Sequence, residues 1–203
     1  MLPYRPLASL VTVTSATLDH ALSVPPMRPL PATAAELLRE LDAPPRLGAH
    51  LRAVHDVAWS LTDALGRRWP DLDFDTTAVL FGAATHDIGK VLHLDELSGP
   101  GSAHEAAGER LLLRYGVPAQ LARFAGSHGS SWTRPDPPLE DLLVSLADKI
   151  WKGRRVPELE QRVIAATGRT PWKAFRTLDD LLGDLAATAD ERLAFQSAFP
   201  IGR

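Results

Sequence analysis

The chain contains no cysteine. That absence removes disulfides, thiolate metal ligands and cysteine nucleophiles together, and it suits a reducing cytoplasm. Nor does any apolar run approach the roughly 20 residues that a membrane span needs. The weak candidate, Ala8 to Ala16, is rich in hydroxyls, has only Arg5 ahead of it and runs straight into Asp19 and His20, so it does not read as a secretion signal. Charge of one sign is missing as well. Twenty-two basic residues face 25 acidic ones, a net of −3, and no global field draws the chain to nucleic acid or to an anionic membrane. Aromatic residues are only 6% of the chain, and Ala, Leu, Arg and Glu far outnumber the β-branched residues, which favours an all-α fold.

What is present is enough for one well-cored domain: 203 residues, 45% of them apolar. Residues 1–32 carry six prolines and no sustained periodicity, and read as an irregular N-terminal arm. Residues 33–203 read as a single helical bundle of about seven or eight helices. Thr33 followed by Glu36 has the form of a capping box opening a short helix through Leu41, which Pro44-Pro45 stops. Leu47, Leu51, Val54, Ala58, Leu61 and Leu65 then recur at spacings of three and four, giving a helix from about Arg46 to Leu65. Asp75 can cap a third helix, Thr76 to about Asp87, apolar almost all round and so expected at the centre. After a loop over 91–102, further helices are expected at about Ser102–Tyr115, Pro118–Ser127, Leu139–Lys152, Pro157–Thr167 and Pro171–Phe199, punctuated by Gly116, Gly129, Gly153 and Gly168.

Chemistry concentrates in six residues: His50, the pair His86-Asp87, His104, His128 and Asp148. Imidazole and carboxylate without thiolate suit a hydrolytic site holding one or two borderline divalent metals. His86 and Asp87 fall where Ile88-Gly89 lets the backbone turn, so both can reach one ion, and an unpaired carboxylate closing an apolar helix would be costly. His50 precedes Val54, Ala58 and Leu61 by four, eight and eleven residues, which puts it on or beside the inward stripe. His55, its rival, is about 140° further round and leans toward the surface or a supporting position. His104 opens a helix after the turn Gly99-Pro100-Gly101. It does not belong to an H-E-x-x-H zinc helix, because position 108 is glycine, and a metalloprotease is therefore rejected. His128 lies between small residues that suit a close approach to a ligand. Asp148 closes two apolar turns and calls for a partner; Lys149, about 100° away, looks poorly placed to be it. Lys90 can meet a substrate phosphate or a developing oxyanion, although a surface lysine near a helix C-terminus needs no such role.

The run His86-Asp87-Ile88-Gly89-Lys90, with His50 before it and Asp148 after it, resembles the HD-domain superfamily of metal-dependent phosphohydrolases over about residues 46–155. The resemblance implies that His50, His86, Asp87 and Asp148 bind one divalent ion. Branches with two further histidines between the pair and the last Asp tend to hold two ions bridged by the pair's Asp, and His104 and His128 occupy those places. The Gly-Tyr-Pro run of the cyclic-di-GMP phosphodiesterase branch is absent.

The activity so implied is hydrolysis of a small phosphorylated substrate, with Asp87 orienting or bridging and Lys90 neutralising phosphoryl charge. One or two ions are expected, and the donor types do not choose among Mn, Fe, Mg, Ni and Zn. His93, Asp95 and Glu96 are candidates to protonate a leaving group. Lys149, Lys152, Arg154 and Arg155, with Trp132 and Trp151, form a basic and aromatic cluster that also fits a solvated helix end. A di-iron oxygenase of the same superfamily and a non-catalytic module pinned by a metal are the alternatives, since each would use the same six residues.

Overall fold

The computed structural model describes residues 8–202, with side chains from Ala16 onward; residues 1–7 and Arg203 lie outside the described residues, and Pro3, Arg5 and Pro6 of the expected arm with them. Among the described residues there are ten α-helices, three 3-10 turns and no strand. The helices are α1 (Ala8–Ser23), α2 (Ala32–Glu40), α3 (Pro45–Arg68), α4 (Thr76–Thr85), α5 (Ala103–Arg114), α6 (Ala119–Ser127), α7 (Leu139–Ile150), α8 (Pro157–Ala166), α9 (Pro171–Ala187) and α10 (Ala189–Ser197). No described helix is long and apolar enough to cross a membrane.

Seven of these, α2 to α8, fall where the sequence puts them, to within a few residues. Pro45 sits at the first position of α3 with φ already set for a helix, and the Asp75 carboxylate accepts from Ala78 N–H at 2.9 Å to cap α4. The proposed capping box does not form. α2 starts one residue earlier, and the Pro31 carbonyl, not a Thr33 hydroxyl, accepts its first N–H groups at 3.0 and 3.1 Å.

The remaining three helices correct the sequence reading. The arm is not irregular throughout, because residues 8–23 form α1. Hydroxyls and β-branched residues lower the helix propensity of this stretch, and tertiary burial overrides them. Leu18, Ala21 and Leu22 are buried, and the two leucines close on α3 where Gly48 carries no side chain. Arg52 fastens the arm from below. Its buried guanidinium donates to the carbonyls of Ala21 at 2.8 Å, Val24 at 2.9 Å, Arg28 at 3.1 Å and, by a shorter contact, Met27.

The expected long helix from Pro171 to Phe199 breaks at Thr188 into α9 and α10. Arg192 explains the break. It reaches back to the Leu185 carbonyl at 2.5 Å and the Thr188 hydroxyl at 2.6 Å, and across to the Trp151 carbonyl at 2.6 Å. The C-terminal pair is thereby locked to the end of α7.

α3 shares the central place expected of α4 alone, since it packs against α1, α4, α7, α9 and α10. Two large apolar clusters result, beside a small one of Ala21, Ala49 and Phe199. One joins the second half of α3 to α4, α7, α8 and α9 through Leu61, Val79, Leu143 and Leu178. The other joins the first half of α3 to α1, α2, α5 and α6 through Leu47, Leu18, Leu38 and Leu112. Leu51 belongs to one and Ala53 to the other, and so do Ala84 and Ala83. His50 and His86 lie one to three residues from these changeovers, and the His50 ring also meets Trp151 of the first cluster.

His55 is not the surface residue its helical phase suggested. It is 5% exposed, because α3 is covered on nearly every side, and its Nδ1 has no partner. Burial pushes its pKa down to about 4, Asp56 opposing and Arg28 and Arg52 assisting. The fold accepts the neutral ring, so its stabilisation is complete above the ordinary value of 6.5 and is lost as pH falls toward 4. A depression of this size corresponds to about 3 kcal/mol at most. In His55→Gln, the decline in unfolding free energy between pH 7 and pH 4.5 should be shallower than in the parent by roughly that amount, read from denaturant titrations at each pH.

Candidate metal centre

The six singled-out residues arrive from five different helices of the bundle. His50 comes from the first half of α3, His86 and Asp87 from the end of α4, His104 from the first turn of α5, His128 from the end of α6 and Asp148 from the last turn of α7. All six are buried, His86 fully. Asp87 is the meeting point. Its Oδ2 lies 3.0 Å from His50 Nε2 and 3.6 Å from His86 Nε2, and its Oδ1 lies 2.9 Å from His104 Nε2 and 3.3 Å from His128 Nε2. Asp148 Oδ1 stands 3.5 Å from His86 Nε2, which is itself 3.3 Å from His50 Nε2.

The other edge of three rings fixes what these nitrogens offer. His86 Nδ1 donates to the Ala83 carbonyl at 2.9 Å, His128 Nδ1 to the Ala125 carbonyl at 3.1 Å, and His104 Nδ1 to the Glu96 carboxylate in a short contact. A carbonyl or carboxylate only accepts, so Nδ1 holds the proton and a neutral ring presents its Nε2 lone pair inward. Lone pairs there face carboxylate oxygens. Such donors repel unless a cation lies among them. His104 Nε2, despite its closeness to Asp87, is a buried atom without a hydrogen bond. Two donors bound at about 2.1 Å to one ion are about 3.0–3.4 Å apart for right or tetrahedral angles, which is the spacing found here. The residues thus fit a divalent ion. The groups His50–His86–Asp148 and His86–Asp87–His128 each bring three ligand atoms within 4.8 Å of one another.

Burial alone would raise the pKa of Asp87. Where the rings carry a second proton on Nε2 instead of facing a cation, the charge of the His86 ring and hydrogen bonds from His104, His128 and His50 outweigh it and hold the carboxyl well below the ordinary carboxylate value. Asp148 is treated alike: burial opposes, and the His86 hydrogen bond and charge, helped by Lys149, hold it well below. Both carboxylates are ionised across the neutral range.

Lys90 places Nζ 2.6 Å from Asp87 Oδ2. Lys149, read as badly placed for Asp148, reaches it at 2.5 Å, because a long side chain can fold back over its own backbone. Beside these residues opens a cavity of about 390 Å³, lined also by Glu105, Trp151, Lys152 and, from α10, Gln196. Of the basic cluster, Lys149 and Lys152 line this cavity with Trp151 between them. Arg155 is instead taken up by Glu160 at 2.7 and 2.8 Å and Asp179 at 2.8 Å, and Arg154 is exposed away from it.

His93, Asp95 and Glu96 do not line the cavity. Glu96 has another task that the sequence reading missed. It accepts Ala103 N–H at 3.0 Å and His104 N–H at 3.1 Å, capping α5, while holding His104 Nδ1. Its separation of eight residues from His104 across an irregular loop gives no periodic signal. Gly89 is required by packing: a Cβ there would meet the His104 carbonyl at 2.0 Å and Gly108 N at 2.6 Å. The turn after Asp87 therefore lies directly on the first turn of α5, which sets His104 against Asp87.

An HD domain model matches residues 47–151, a span that contains all six residues and more than half the chain. The chain belongs to the HD domain family. No curated protein and no solved structure matches it.

Two outcomes follow. Gly89→Ala should destabilise the fold by about 3 kcal/mol, since the clash is with backbone, and should lower metal retention in parallel. Glu96→Gln should leave the helical circular-dichroism spectrum intact while weakening divalent-metal affinity on the order of tenfold, as expected when a group orienting a histidine ligand is altered.

Proposed function

We propose that this protein is a metal-dependent phosphohydrolase. The observation that carries the reading is the Asp87 carboxylate, which turns one oxygen to His50 and His86 and the other to His104 and His128 while ammonium groups flank the cavity above it. In this reading His50, His86, Asp87 and Asp148 would hold one divalent ion, and Asp87, His104 and His128 would hold a second.

Bound there, a divalent ion polarises a phosphoryl oxygen and lowers the pKa of water. The residues themselves do the rest. Asp87 stays ionised at the centre and aligns both halves of the site. Lys90, already against Asp87, offers its ammonium to charge that develops on the phosphoryl oxygens, and Lys149 and Lys152 attract and orient an anionic group. Trp151 supplies an apolar wall. Its ring meets that of His50 edge-on at 4.8 Å and restrains the imidazole.

The test is purification without chelator, elemental analysis, and a panel of phosphomonoesters and phosphodiesters assayed with added Mn²⁺, with oxygen uptake measured in parallel. Hydrolysis, read as phosphate from monoesters or free alcohol from diesters, that falls at least a thousandfold in His86→Ala and Asp148→Asn, with the fold retained, is the expected result. That loss corresponds to about 4 kcal/mol of barrier. Oxygen uptake with Fe²⁺ and no hydrolysis would overturn the reading in favour of a di-iron oxygenase. Bound metal without either activity would leave a metal-pinned binding module.

A further inference from the structure

The two halves of the centre are unequal in the six residues considered so far. The half on Asp87 Oδ2 has two imidazoles and a carboxylate of its own, Asp148, while the half on Oδ1 has His104 and His128 alone. A third carboxylate stands beside that poorer half. Glu105 follows His104 in the first turn of α5, half-buried and lining the cavity. One of its carboxylate oxygens and a ring nitrogen from each of His104 and His128 lie within 4.8 Å of one another.

Its position is built rather than incidental. The carboxylate lies over Gly129, where a Cβ would meet Oε1 at 2.3 Å and Oε2 at 3.2 Å. Glycine after His128 thus leaves the space that Glu105 occupies. Among the described residues the carboxylate has no hydrogen-bond or ion-pair partner, although Lys90, Lys149 and Lys152 share the same cavity. A half-buried carboxylate beside two inward imidazoles and without a cation of its own is a costly arrangement.

We infer that Glu105 is the seventh ligand of the centre and completes the second ion's site. The second half then matches the first: two imidazoles, one oxygen of the shared Asp87 and one unshared carboxylate. A third negative charge also offsets two divalent ions better than Asp87 and Asp148 do alone. This inference rests on the metal-centre reading above.

The experiment is titration of apo-protein with Mn²⁺ followed by calorimetry, with bound metal counted by elemental analysis after gel filtration. The parent should take two ions per chain. Glu105→Gln, nearly isosteric, should weaken the second ion at least tenfold and leave the first within twofold. Glu105→Asp should recover part of the loss. Gly129→Ala should act like Glu105→Gln without altering any ligand, because its backbone is free of positive φ and the new methyl only displaces the carboxylate. Two ions bound as tightly in Glu105→Gln and Gly129→Ala as in the parent would overturn the inference, and so would a parent that takes only one. A parent that takes none overturns the metal reading itself, which keeps the two failures apart.

Discussion

The Asp87 carboxylate is surrounded by four imidazole edges in a region from which water is largely removed. Carboxylate and neutral imidazole nitrogens cannot be held at 2.9–3.6 Å in such a place unless positive charge lies between them. Everything around the centre serves that constraint. Main-chain carbonyls of α4 and α6 and the Glu96 carboxylate take the outer proton of three rings, and this turns the inner nitrogens into a set of lone pairs aimed at one volume. The bundle in turn must hold α3, α4, α5, α6 and α7 at fixed distances, because each contributes to the set.

Two dry clusters meet at the site, and this arrangement explains how the fold tolerates so much buried polarity. Leucines above and below clamp α3 and α4 independently of the polar residues between them. The polar groups are then held in place by packing and are not required to generate it. Lys90 and Lys149, each against one carboxylate, offset the two negative charges at the centre.

Most of the fold was legible because its helices announce themselves by apolar spacing, proline at the first turn and glycine after the last. The candidate ligands were legible for different reasons: His50, His86, Asp87 and Asp148 conflict locally with the apolar helices that carry them, whereas His104 and His128 stood out by the glycines and small residues beside them. What escaped depended on contacts between distant segments. α1 forms because Leu18 and Leu22 find α3, and nothing within residues 8–23 reports that. The break at Thr188 depends on a guanidinium four residues later that reaches a carbonyl of α7. His55 was misplaced because a single inward stripe was assumed for a helix that is covered almost all round. Glu96 and Glu105 look like ordinary surface acids until the loop and the glycine opposite them are folded.

Arg192 binds α10 to the carbonyl of Trp151, three residues past Asp148, and the same helix delivers Gln196 to the cavity wall. Both lie beyond the span shared with the family. The molecule therefore separates two jobs in its architecture. A core shared with the family carries the buried His/Asp centre, and the appended C-terminal helices supply one side chain of the cavity wall, Gln196. That wall can be changed one side chain at a time without touching the balance at Asp87, so the shape of the cavity and the charge at its floor are adjustable independently in this protein.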